Sequence, residues 1–171
     1  LFAATVVGLC CIIASAATFN NYFDRNLDAK MERTRNRALV TGEISNAHAL
    51  VFGTLLGIIG VLLLYFCTNA LALGVALFGF VVYVFCYTPF KHHSAYALYV
   101  GALAGATPPV VGYVAVTNAF DWYAGALFVF LFLWQLPHFL AIAVYRFDEY
   151  KAAGIPLFIK KPPSEKQKRG S

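Results

Sequence analysis

Asn20, Asp24 and Asp28 stand four residues apart in the stretch Asn20 to Arg37, which also carries five of the chain's thirteen basic residues. On a continuous helix each four-residue step drifts only about 40° around the axis, so the three side chains share one face. Two carboxylates and an amide oxygen, one turn apart, suit a hard divalent cation. Mg²⁺ takes one or two carboxylates and fills its remaining positions with water and phosphate oxygens. The same acids equally suit a salt-bridged amphipathic loop, with Arg25, Lys30 and Arg33 as partners. Spacing alone leaves both open.

Arg33, Arg37 and Lys91 form the next constellation. Guanidinium forks match phosphate oxygens in pairs, and lysine adds a point charge. Basic residues beside apolar runs also serve simply as topology signals. Metal-holding acids and phosphate-holding bases on one face together point to a diphosphate at a membrane surface, its apolar remainder lying among helices. A third cluster runs through Trp134, Pro137 and His138 to Arg146, Asp148 and Glu149. His138 lies inside an apolar run, where an ionisable residue is costly and marks a functional position. A hydrogen bond between helices and a substrate contact are both open for it. Asp148 and Glu149 suit either a second acidic site facing the first or an ordinary helix-end charge pair.

The elements that must position these residues are membrane spans. The chain has 171 residues, of which 60% are hydrophobic and 12% charged, against roughly a quarter charged in a soluble domain. Five apolar runs, near 1–19, 47–67, 70–90, 95–117 and 122–145, reach the ~20 residues needed to cross a bilayer. The fold class is therefore all-α, a polytopic membrane helical bundle. The ten-residue alternation of a transmembrane barrel is absent. Glycines at 53, 57, 60, 101 and 105 allow close helix approach, and Pro108-Pro109 is expected to break the fourth span. Cys10, Cys11, Cys67 and Cys86 lack metal-site or redox spacing and read as small buried hydrophobes.

With five spans, the polar connections 20–46, 91–94 and 146–171 all fall on one side and hold all thirteen basic residues. The positive-inside rule makes that the cytoplasmic side, or the matrix side in an organelle. Basic charge so placed signals a lipid bilayer rather than nucleic acid. Leu1 already stands inside an apolar run, so the chain is expected to be part of a longer protein. Residues 159–171 are polar and basic and are expected to be disordered.

Asn20-x-x-x-Asp24-x-x-x-Asp28 followed by Met31-Glu32-Arg33-Thr34-x-x-Arg37 resembles the first aspartate-rich motif of the UbiA-type intramembrane prenyltransferases. Tyr87-Thr88-x-x-Lys91, Pro108-Pro109-x-x-Gly112, Trp134-x-x-Pro137-His138 and Tyr150-x-x-Ala153-Gly154-Ile155-Pro156 resemble one branch, the protohaem IX farnesyltransferases or haem O synthases. The likeness extends from Leu1 to about Pro156. It departs where Asn21 stands in place of a further Asp, where Ala38 follows Arg37, and where Glu149 holds a position usually given to Asp. The tail after Pro156 is unlike the family, which puts activity of the chain on its own in question.

The resemblance implies about nine helices around a central cavity, with residues 1–158 supplying the second to the sixth. It implies transfer of the farnesyl group of farnesyl diphosphate to the vinyl group of protohaem IX, giving haem O. Mg²⁺ on Asp24 and Asp28, assisted by Asn20, would neutralise the diphosphate. Arg33, Arg37 and Lys91 would stabilise the leaving charge, and Tyr87, His138, Asp148 and Glu149 would serve the haem or the second acidic motif. A bacterial inner membrane and haem-handling membrane proteins as neighbours complete the expectation. Two other readings stand beside it. One is a prenyltransferase acting on a quinone precursor or another aromatic acceptor. The other is a transporter or assembly partner, since broken helices with charged ends also occur in transporters.

Overall fold

The computed structural model describes residues 1–157, and all the regular structure in them is helical. Five segments are long and apolar enough to cross a membrane. The first is α1 (Phe2–Asp28). A loop with one short turn, α2 (Ala38–Thr41), leads to the second, α3 (Asn46–Cys67). The third joins α4 (Ala70–Val81), a π-helical turn (Val82–Tyr87) and α5 (Thr88–Phe90). The fourth is α6 (Ala97–Gly105) plus α7 (Thr107–Thr117), and the fifth is α8 (Trp122–Tyr145), followed by the short α9 (Phe147–Ala152). Local chemistry sets several starts. Ser45, Asn69 and Asp121 each accept a hydrogen bond from a backbone N–H in the first turn of α3, α4 and α8, satisfying donors that a helix otherwise leaves open.

The first helix runs beyond the apolar run to Asp28, so the continuous helix that puts Asn20, Asp24 and Asp28 on one face is present. Two expectations need correction. The break in the fourth span falls at Ala106, not at Pro108-Pro109, which occupy the first turn of α7. Proline costs little there, because the first helical N–H groups have no intrahelical partner to lose. The cysteines are free thiols, but Cys10, Cys67 and Cys86 are exposed and Cys11 half-buried. In a membrane bundle the outer surface meets hydrocarbon, so a small apolar side chain has no preference for the interior. Phe2, Phe66, Phe130 and Trp122 point outward in the same way. The expectation for residues 159–171 lies outside the described residues.

The tightest seam is between α1 and α3. A Cβ at Gly60 would lie 2.7 Å from the Gly8 carbonyl oxygen, and Ser15 Oγ donates to the Gly53 carbonyl at 2.7 Å across the same seam. Both contacts need backbone approach, which is how helices gain packing in lipid. Ile12, Leu64, Ala72, Ala76, Val110, Val111 and Val114 close a core between α1, α3, α4 and α7. On the far side, a Cβ at Gly105 would run into the Gln135 side-chain amide, so the missing side chain lets α8 seat against α6.

The π-helical turn matters most for the site. Such turns are rare and hold one residue more than an α-helical turn. At about 100° per residue, the insertion rotates everything after it around the axis. Thr88, Lys91 and His92 are thereby turned toward the last two turns of α1.

Candidate functional site

Three polar connections converge at one end of the bundle: the end of α1 with its loop, the segment after the π turn, and α9. Asp24 and Asp28 are almost fully buried, at 3% and 4% exposure, so their charges require partners. Asp24 Oδ2 takes Lys91 Nζ, and Asp24 Oδ1 lies 3.1 Å from His92 Nε2. Asp28 Oδ2 takes Arg37 Nη1 at 2.6 Å, and the same nitrogen donates to Asn21 Oδ1 at 2.9 Å. None of the neighbouring cations Arg25, Lys30 or Arg33 makes these pairs. Arg25 instead donates to the Tyr22 carbonyl. Asn20 Nδ2 donates to Thr88 Oγ1 at 3.0 Å. Thr34, 1% exposed, donates its hydroxyl to the Asp28 carbonyl and closes the turn after α1.

Glu149 joins the third connection to the first. Its Oε1 accepts the Arg33 backbone N–H at 3.0 Å, and its Oε2 takes Arg146 Nη1 at 3.0 Å. These contacts hold its carboxyl below the ordinary range, the Arg33 N–H contributing most and Arg146 adding to it. Asp148 occupies the first turn of the same short helix and is exposed.

Beneath this polar end opens a cavity of about 760 Å³. Arg33, Lys91, Arg146, Tyr87, Tyr150 and His138 line it together with apolar Leu98, Phe139, Leu140 and Ile142. Lys91 Nζ lies 5.3 Å above the centre of the Tyr87 ring, and His138 stacks on Trp134 at 5.3 Å with the rings 12° from parallel. Four residues singled out from the sequence, Arg33, Lys91, Tyr87 and His138, are therefore brought to one space. Asp24 adjoins it through Lys91. Arg37 is not brought there; it lines a separate groove of about 810 Å³ with Asn21, Glu43, His48, Phe52 and Leu55.

Sequence reasoning missed Thr88 and His92 as partners of the first acidic motif, and named Arg146 and Tyr150 without giving them a place in the cavity lining. The first pair had a signal. Thr88, Lys91 and His92 are spaced i, i+3 and i+4, so a helix end that presents Lys91 to α1 presents the other two as well.

The donor set fits a hard cation. Asn20 Oδ1 and Asp28 Oδ1 accept no hydrogen bond among the described residues, and no sealed side-chain oxygen there lacks a partner. Both oxygens therefore face accessible space. No three His, Cys, Asp or Glu side chains converge among the described residues. Both Asp24 oxygens are taken by Lys91 and His92 and Asp28 Oδ2 by Arg37, so a cation held here would replace some of those partners and fill its other positions with water and phosphate oxygens.

The model of the UbiA prenyltransferase family matches residues 1–163. A protoheme IX farnesyltransferase of Edwardsiella ictaluri is 53% identical over 158 residues, covering 92% of this chain and 53% of that protein. A protoheme IX farnesyltransferase of Cronobacter sakazakii is 53% identical over 158 residues, with 92% and 54% covered. One from Escherichia coli O1:K1 / APEC is 52% identical over the same length, with 92% and 53% covered. The chain spans about half the length of the curated relatives it matches. No solved structure matches it.

Proposed function

The chain belongs to the UbiA prenyltransferase family and is a multi-pass membrane protein, and from that premise we propose that the protein it forms farnesylates haem. The farnesyl group of farnesyl diphosphate is joined to a vinyl group of protohaem IX, water adds to the other vinyl carbon, and haem O and diphosphate are released. The carbon–oxygen bond of the diphosphate ester breaks with its electron pair leaving on diphosphate, and the added water gives up one proton. The observation that carries the reading is the cavity's lining, three cations at its polar end above apolar walls. Such a space suits a diphosphate head with a long hydrocarbon tail. The haem acceptor rests on the names of the relatives.

Asn20, Asp24 and Asp28 are the residues that would hold Mg²⁺, which when bound supplies neutralising charge to the diphosphate oxygens. Arg33, Lys91 and Arg146 meet the charge that grows on the leaving group, a stabilisation worth most in a water-poor site. Lys91, which pairs with Asp24 in this structure, also lines the cavity and is placed to share its charge with the diphosphate. The Tyr87 and Tyr150 rings and the apolar walls keep water from the allylic cation until the new carbon–carbon bond has formed. His138, exposed to the cavity and stacked on Trp134, offers a flat polar edge to haem.

In the same reading the membrane is the bacterial inner membrane, with the charged end in the cytoplasm. The bias of all thirteen basic residues to one set of connections supports this. Haem-handling membrane proteins are the neighbours expected to deliver the acceptor.

The test is to incubate membranes holding the full-length protein with haem, farnesyl diphosphate and Mg²⁺ and to resolve haem O chromatographically. Prenylation of a hydroxybenzoate without haem O would move the acceptor to an aromatic ring. Absence of any Mg²⁺-dependent prenyl transfer would overturn the enzyme assignment.

A further inference from the structure

We propose that Thr88 is a positioning residue that sets the orientation of the Asn20 amide, and that the π-helical turn preceding it exists to make this possible. The inference rests on the reading of Asn20 as an oxygen donor to a cation. An asparagine amide has two ends of similar shape and opposite polarity, and only the oxygen end binds a cation. Something must decide which end faces the site.

The decision is made by a directed chain of hydrogen bonds. The backbone N–H of Thr88 reaches the Tyr83 carbonyl, five residues back, which is the signature of the π turn. That register places the Thr88 hydroxyl 2.9 Å from the same carbonyl, to which it donates its single proton. In an α-helical turn the threonine hydroxyl would find the carbonyl three or four residues back instead. With its proton committed, Thr88 Oγ1 has only acceptor capacity left toward α1. The Asn20 side chain meets it with Nδ2 at 3.0 Å, so its Oδ1 is turned the other way. Thr88 is 1% exposed and Asn20 8% exposed. At such burial, the reversed amide would bring two acceptors together and lose a bond. Asn20 Oδ1 in turn accepts nothing among the described residues and faces accessible space. Asp24, the next residue on that face, is gripped by Lys91 and His92 from the same helix end. One wide turn thus orients the amide and supplies the cations opposite the carboxylate.

The experiment measures Mn²⁺ binding by electron paramagnetic resonance on the detergent-solubilised full-length protein, with inorganic pyrophosphate present. Thr88→Val keeps the shape and removes the hydroxyl. It is expected to weaken Mn²⁺ binding about tenfold, the scale of losing a group that orients a metal ligand. Thr88→Ser restores the bond and is expected to bind within about twofold of the parent. In an Asn20→Ala background Thr88→Val is expected to add no further loss, because the two residues act as one unit. Thr88→Ala, with less bulk, replaces Thr88→Val if that variant fails to accumulate. Unchanged Mn²⁺ binding in Thr88→Val, or an equal loss with and without Asn20, overturns the proposal while leaving the metal reading intact. A parent protein that binds no Mn²⁺ with pyrophosphate overturns both.

Discussion

Asn and Asp appear at both ends of the bundle and do opposite things. At the end of short connections, Asn69 accepts from the Ala72 N–H at 2.9 Å and donates to the Val114 and Ala115 carbonyls at 2.8 and 3.2 Å. Asp121 caps α8 and accepts the Tyr113 hydroxyl at 2.8 Å. Both stand at helix N-termini, where side-chain oxygens satisfy open N–H groups and a negative charge meets the positive end of the helix dipole. At the other end, Asp24 and Asp28 occupy the last two turns of α1. There the dipole disfavours anions, and burial adds a desolvation cost. Lys91, His92 and Arg37 must come from elsewhere in the chain to offset it. Polar residues that stabilise a fold sit where the backbone wants them. These do not, and the proposed role in holding a cation gives their placement against local stability a reason.

That contrast breaks or sharpens on substitution. Asp24→Asn and Asp28→Asn keep size and remove the misplaced charge. Each is expected to lower haem O formation below about one-thousandth of the parent rate, the upper scale for removing one electrostatic element of a site. The thermal midpoint of Asp28→Asn should stay level, since its partner Arg37 is half-exposed, whereas that of Asp24→Asn should fall, because the more deeply buried Lys91 loses its partner together with His92. Parent-like turnover in either variant would show that the carboxylates are structural after all. Lys91→Met retains the stem and loses the ammonium. It is expected to reduce kcat/KM about 10²-fold. The midpoint should also fall, because Asp24 is left buried with His92 alone.

Glu149 tests whether the third connection belongs to the site or merely closes it. Its carboxyl is held below the usual range by the Arg33 N–H and Arg146. A depressed pKa in the folded state means that its contribution is complete above the unfolded value of 4.5 and is lost as pH falls through the lower folded value. Glu149→Gln should cost about tenfold in kcat/KM, the equivalent of weakening one charge-assisted bond. It should also remove the part of the acid-induced loss of stability that the parent shows below pH 4.5. An unchanged acid profile would place the docking of α9 elsewhere.

The sequence made the bundle legible because each signal is local. Apolar length gave the spans, and the bias of charge gave the shared end. The four-residue spacing of Asn20, Asp24 and Asp28 gave their common face. Long-range partnership was not legible in the same way. Nothing near Asp28 prefers Arg37 to Arg33 or Lys30; the turn closed by Thr34 decides it. Nor does the composition of Val82–Tyr87 declare a π turn, so although spacing tied Thr88 and His92 to Lys91, the rotation that aims all three at α1 was not legible. The displaced break at Ala106 follows the same pattern. Proline marks where a helix cannot have come from, and the chain moved the break upstream to keep both prolines in a first turn.

The smallest expected effect lies at the quiet end and completes the comparison. Asn69→Ala removes the cap of α4 and two bonds to the last carbonyls of α7. Cap removal costs about 1 kcal/mol in a typical helix, and the bonds to α7 add to it only partly, since water reaches the half-buried side chain. A fall of a few degrees in the thermal midpoint is the expected result. Turnover per folded molecule should not change, because Asn69 reaches no residue of the polar end. If turnover falls as far as stability or further, the two ends are coupled through α4 and the π turn. The neat division between residues that build the bundle and residues that use it would then fail at this helix.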